Sequence, residues 1–316
     1  SRAADGTRPP EAKAALRQKL TVSNSADRQT LLDMGGRPIA EYDSFQLWDV
    51  PTDRAVRAAA VEGIALREGD NAIELHAGRM DTTTTASMAQ AAGAAAAPVE
   101  PFQGSRLHLV QFVGPIKPEW HARLSELGLK VVTYIPRHAY LVYGDAPALG
   151  ALRDFAQVTP HVQWEGPYEP NSKIHPGAQA LVQAAREKQA MNDWFAVQLV
   201  KDEVANVETL QVLDRLQREM GRRYTMLGYV NLVLRLDPER LAEVAARPDV
   251  VSIQRYEKPQ KRDERQGQIL AGNLAGTRPA GPGYLAWLTS KGFTAQQFAA
   301  SGFVVDVSDS GIDNGT

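Results

Sequence analysis

Three glycines, Gly35, Gly128 and Gly221, stand 93 residues apart in each step, and the residues around them copy one another. The stretches are LLDMGGRPIAEYDSFQLWDVPTDR (31–54), LSELGLKVVTYIPRHAYLVYGDAP (124–147) and LQREMGRRYTMLGYVNLVLRLDPER (216–240). Each runs from a helical apolar period through glycine into two short strand-like runs, then into a polar helix start. A fixed period of this kind means one supersecondary unit built three times. Glycine just past a helix takes the left-handed conformation that closes the last turn, so all three are expected to end a helix.

The first copy reads as a helix over 27–34, strands over 38–42 and 45–50, a helix over 54–61 and a strand from Ile64, extended by 72–76. No convincing strand precedes its first helix. The second reads as strand 106–112, a helix opened by Pro118, strands 130–134 and 139–143, helix 146–155 and strand 161–165. The third reads as strand 195–200, helix 207–220, strands 222–227 and 231–236, a helix opened by Asp237-Pro238, and strand 250–254. The order is β-α-β-β-α-β, a ferredoxin-like α+β unit that puts two helices on one sheet face and leaves the other open. That arrangement by itself carries no function.

The expected boundaries are 12–79 for the first, degenerate repeat, 105–170 for the second and 194–257 for the third. Residues 80–104, rich in Thr, Ala and Pro, lack the apolar surface to offset their ordering entropy and read as a linker. Residues 171–193 form an Ala/Gln-rich connector. Residues 258–283 are a second linker, first charged (KPQKRDERQ), then Gly/Pro-rich. Hydrophobic content of 43% and charged content of 23% are those of a globular chain. A net charge of −2 offers nothing to nucleic acid or an anionic membrane. No apolar run reaches membrane-span length. Without a cysteine the chain has no disulfide, thiol nucleophile or thiolate metal site.

The last stretch has a different character. An apolar run, 303–307, breaks into a polar turn at Asp309-Ser310-Gly311, where a carboxylate at a strand exit occupies the edge at which α/β sheets place their chemistry. The sequence VVDVSDSGID (304–313) resembles the aspartate motif of subtilisin-like serine proteases, a hydrophobic strand followed by Asp-(Ser/Thr)-Gly-(Ile/Val). The ending RPDVVSIQRYE (247–257) is similar to the closing strand of that family's propeptide, which has the ferredoxin-like fold.

The resemblance implies an exported subtilisin-like serine endopeptidase precursor: repeated ferredoxin-like prodomain units, then the first helices and strand of an α/β catalytic domain from residue 284. Asp309 is then the triad aspartate, which orients the imidazole and stabilises its cation, while Ser310 and Gly311 shape the turn. The prodomains would assist folding, block the cleft and be cut away within 258–283. The partners implied are the chain's own catalytic domain and protein or peptide substrates. No cofactor is expected in this chain, and calcium is left to the remainder of the catalytic domain. The triad His and Ser are expected beyond Thr316, so these residues alone would hydrolyse nothing. One departure is Asp306, set where the family strand is apolar. The competing reading is a stand-alone propeptide-like inhibitor or chaperone.

Other chemistries fit less well. Asp306 and Asp309 are spaced Asp-x-x-Asp, whereas a haloacid-dehalogenase-type phosphatase needs Asp-x-Asp. Asp309, Asp313 and Asn314 lack the alternating oxygen ligands of an EF-hand. The six histidines all precede Asp309, without the helical spacing of a zinc hydrolase.

Overall fold

The computed structural model describes residues 17–23, 28–83, 102–187, 193–257 and 263–302. It is a mixed α+β structure of small antiparallel sheets, and the chain divides into two compact units, residues 1–256 and 257–316.

The first unit opens with β1 (Arg17–Ser23), α1 (Arg28–Asp33), β2 (Arg37–Glu41), β3 (Phe45–Pro51), α2 (Thr52–Ala59) and β4 (Ile64–Leu66). A hairpin of β5 (Ala72–Leu75) and β6 (Gly78–Asp81) follows. Next come β7 (Ser105–Phe112), α3 (Pro118–Glu126), β8 (Lys130–Ile135), β9 (Ala139–Asp145), α4 (Ala146–Val158) and β10 (Val162–Pro167). After α5 (Pro176–Arg186) the last set is β11 (Asp193–Val200), α6 (Ala205–Leu216), β12 (Glu219–Met226), β13 (Tyr229–Leu236), α7 (Leu241–Ala245) and β14 (Val250–Arg255). The three four-stranded sheets run β4-β1-β3-β2, β10-β7-β9-β8 and β14-β11-β13-β12, with every pair antiparallel.

The first copy does have an opening strand. β1 pairs with β3 from Arg17 to Ser23 and with β4 through Leu20, Thr21 and Val22. Its sequence, RQKLTVS, buries only Leu20 and Val22 on the helix side, with Lys19 buried on the other. Two apolar residues in seven are too faint an alternation to separate from a loop. Residues 72–76 do not extend β4; they turn back at His76-Ala77 as the β5–β6 hairpin, and β6 carries ordered strand to Asp81.

Two of the three glycines end helices as expected. Gly35 (φ 75°) and Gly128 (φ 82°) are left-handed, and the next residues reach back, Gly36 N–H to Leu31 O at 2.8 Å and Leu129 N–H to Leu124 O at 3.1 Å. This is the Schellman closure, which uses carbonyls that the helix leaves unpaired. Gly221 differs. α6 ends at Leu216, Gln217 is already extended, and Gly221 lies within β12 at a register shift between Met220 and Arg222. The strand claims residues 219–220 because Arg218 N–H bonds at once to Arg235 O, 2.8 Å away, tying the chain to β13.

Each sheet buries one face under helices. Leu20, Val22, Trp48 and Val50 meet Leu31, Ala55 and Ala58. Val110, Phe112 and Val142 meet Leu124, Leu149 and Leu152. Phe195, Val197, Leu232 and Leu234 meet Leu213, Leu241 and Val244. The expected connector packs there too: Ala178 on α5 is buried in that last core, and Ile174 bridges to Ile253 in parallel. Among the described residues no helix is long and apolar enough to cross a membrane.

In the second unit, α8 (Asp263–Leu270), a two-stranded ribbon of β15 (Leu274–Ala275) and β16 (Arg278–Pro279), α9 (Tyr284–Ser290) and α10 (Ala295–Ala300) follow in order. Part of the expected extended linker is thus a helix and a ribbon. α10 opens with the capping box that Thr294 and Gln297 announce.

Candidate functional site

Asp309, Ser310 and Gly311, the residues on which the sequence places catalysis, lie outside the described residues, as do Asp306 and the 303–307 run. Among the described residues, the sheet faces that the helices leave free are the surfaces open to a ligand or partner.

The second sheet has no free face. On the side away from its helices, Leu107, Leu109, Leu141 and Tyr143 meet Ile73, Leu75 and Met80 of the β5–β6 hairpin together with Val200, Val251 and Tyr229 of the third sheet. Leu107 to Phe112 of β7 are accordingly all buried, polar His108 and Gln111 included, and the first five residues of β9 (AYLVY) are apolar without alternation, as in a strand covered on both sides. Polar ties fix the arrangement. Tyr143 OH donates to Asp202 Oδ2 at 3.1 Å, and Tyr229 OH to Val132 O at 2.7 Å. Burial and the Asp202 carboxylate push the Tyr143 phenol well above its ordinary value.

The seam with the first sheet is a buried polar cluster. Lys19 Nζ donates to Asp70 O at 2.9 Å, and Gln111 Nε2 to Ala72 O and Arg137 O, both at 2.9 Å. Thr82 Oγ1 donates to Gln111 Oε1 at 2.6 Å and Gln163 Nε2 to Thr82 Oγ1 at 2.9 Å. Burial lowers Lys19 to about 7 against the pull of Asp70 and Asp49. Burial would raise the Asp70 carboxyl, but His138 and Arg67 hold it below the usual range. These bonds tie β1, the β5–β6 hairpin and β7 together across the seam.

The third sheet is covered on its free side only at one end. Rows across it follow from the register: Val200–Tyr229 is the covered row, then Gln198–Asn231–Tyr224, then Ala196–Val233–Arg222. At the uncovered end Trp194 lies over Gly221, and the Arg222 guanidinium sits 5.2 Å from the Tyr224 ring centre and 5.8 Å from that of Tyr256. Tyr256 N–H bonds to Trp194 O at 2.8 Å, so this aromatic patch stands where the chain leaves the sheet. Gln198 Nε2 donates to Asn231 Oδ1 at 3.0 Å beside it. Two aromatic rings thus stand against one cation, residue types that are enriched at protein interfaces. Trp194 was legible as an interface candidate; the gathering of Arg222, Tyr224 and Tyr256 near it was not, because Trp194 is on β11, Arg222 and Tyr224 on β12, and Tyr256 just past β14.

The histidines are spread through the fold. His108 Nε2 is 2.5 Å from Glu165 Oε2, in a buried pair with Arg153 beside it. His161 stacks on Trp120 at 4.6 Å, and His76 on His175 at 3.9 Å. Burial would raise the Glu165 carboxyl, but His108 and Arg153 hold it below its ordinary value. Among the described residues, no group of three or more His, Asp or Glu converges to hold a metal ion.

Residues 74–169 match a family described as a domain of unknown function, DUF8729. The match opens inside β5 and closes just past β10, so the family takes in most of the β5–β6 hairpin together with the sheet it covers. No curated protein matches the chain.

Proposed function

We propose that this chain is the N-terminal region of the precursor of a secreted subtilisin-like serine endopeptidase, with three ferredoxin-like prodomain units ahead of the opening of the catalytic domain. The observation that carries the reading is the third sheet's aromatic end, Tyr224 and Tyr256 around Arg222 with Trp194 over Gly221 next to them, beside the point where the chain leaves toward the Asp-Ser-Gly motif. A surface so placed can rest on a catalytic domain while the following segment runs into its cleft. A tethered blocker acts at high effective concentration, and a preformed surface helps a slow, long-range fold to close.

Two further features support it. The order of strands in each sheet is that of the ferredoxin-like unit. In residues 263–302, α9 and α10 bury no residue, and Leu285, Phe293 and Phe298 are exposed, as helices are when the sheet they belong to is elsewhere in the chain. Asp309 is assigned as the triad aspartate, with Ser310 and Gly311 shaping its turn.

The test is inhibition. The chain, titrated against a purified subtilisin-like peptidase with a chromogenic peptide, is expected to inhibit at micromolar concentration or below, and Trp194→Ala to weaken inhibition at least about tenfold, as loss of an aromatic anchor does. Absence of inhibition by the intact chain would sink the reading. Coding sequence beyond Thr316 separates the precursor from a free-standing inhibitor: a His motif and then a Gly-Thr-Ser nucleophile belong to the precursor only.

A further inference from the structure

A second surface shares Arg222 and Tyr224 with the aromatic patch but lies along a strand edge and does not depend on the protease reading. β12 is the outermost strand of the third sheet, and all eight of its residues are exposed. Among the described residues no strand pairs with its outer side. Three other edges, β14, β8 and β2, are tied down. β14 carries the Ile174 bridge and a bond from His175 N–H to Ile253 O at 2.9 Å. Val132 O on β8 accepts from Tyr229, and Ile39 and Ala40 on β2 pack against the second sheet's core. A bare edge strand is a template for another strand.

We infer that β12 accepts an extended acidic segment of a partner protein as a fifth strand. Register and charge carry this. β12 and β13 are joined by the two-residue turn Leu227-Gly228, so Met226–Tyr229 closes the ladder as a hydrogen-bonded pair and the pairs alternate from there. The N–H and C=O of Arg223 and Thr225 therefore face outward. Arg222 and Arg223 are consecutive, so their guanidinium groups flank the edge on opposite faces, and among the described residues neither makes an ion pair. An added strand that sets its carboxylates on the Arg223 face turns its apolar residues to Tyr224 and Met226, 40% and 50% exposed, on the other. Antiparallel pairing of β12 with itself about Arg223 sets like charges opposite one another, which opposes a second copy of this chain in that register.

The probes are two fluorescein-labelled, capped octapeptides, one alternating Glu with Val and one alternating Lys with Val, added to the full chain. The Glu peptide is expected to bind saturably by fluorescence anisotropy and to slow amide exchange in fragments covering β12. Thr225→Pro removes an outward donor but no bond to β13, and is expected to weaken binding at least about tenfold with the circular dichroism unchanged. Should that variant not fold, Arg222→Glu/Arg223→Glu decides alone by reversing the preference to the Lys peptide. The inference is overturned by no saturable binding, by equal binding of both peptides, by protection outside β12, or by binding that survives the charge reversal. Concentration-dependent dimerisation abolished by Thr225→Pro also overturns it, since the occupant is then a second copy.

Discussion

The indole of Trp194 lies so close to Gly221 that a Cβ there would stand 2.8 Å from Cζ3 of the ring and 3.0 Å from the carbonyl oxygen of Val233. The glycine is kept free for the ring, which crosses β13 to reach it. Gly221→Ala is expected to displace the indole and destabilise the first unit by about 1–3 kcal/mol, the usual cost of overpacking. Thermal unfolding of Gly221→Ala alone and in a Trp194→Ala background checks this. An equal cost in both backgrounds would refute the contact as its source.

Asp249 sits with no exposed surface, accepting from Asn206 Nδ2 at 2.7 Å and Thr209 Oγ1 at 2.5 Å, and burial raises its carboxyl. Asp249→Ala strands both donors and should cost about 2–5 kcal/mol. Denaturant midpoints test this; a loss below about 1 kcal/mol would show that the site relaxes around the gap.

Tyr143→Phe removes the bond to Asp202 while keeping the ring in its apolar seam. The expected loss is about 1–3 kcal/mol, that of a hydrogen bond to a charged partner. Amide exchange should quicken at 129–143 and 198–202 while the first sheet stays unchanged. A uniform change across all three sheets would argue that they unfold as one.

The buried Lys19 amine gives a pH dependence. With a folded value of about 7 against an ordinary 10.5, the unfolded chain holds more protons between those values, so stability rises as pH increases through that window. Lys173, lowered by burial to about 8, adds in the same direction. Tyr143 and Tyr168, both raised by burial, reverse the trend above about pH 10. Lys19→Met should raise stability at pH 7 and flatten the rise to pH 9.5 in guanidinium titrations. A rise that persists in full would assign it elsewhere.

Local chemistry explains what was legible. Helix period and capping placed both helices and three of the four strands in the first copy, and all six elements in the other two, because those signals act over a few residues. The glycine closures at Gly35 and Gly128 hold for the same reason, as does the Thr294–Gln297 capping box. The Asp309 motif was legible as a pattern, but it lies outside the described residues.

What failed was non-local. Gly221 keeps the 93-residue spacing but not the role, because β13 captures residues 218–220 for the sheet before a glycine is needed. β1 is a strand through its partners β3 and β4 rather than through its own faint pattern. The sequence by itself determined three α+β copies in order, since propensity, capping and apolar period are written along the chain. Only the tertiary structure decided that the β5–β6 hairpin seals the second sheet, that α5 joins the third core, and that Arg222, Tyr224 and Tyr256 gather beside Trp194. Those choices depend on which surfaces meet, and burial rewards complementary faces however far apart their residues lie in sequence.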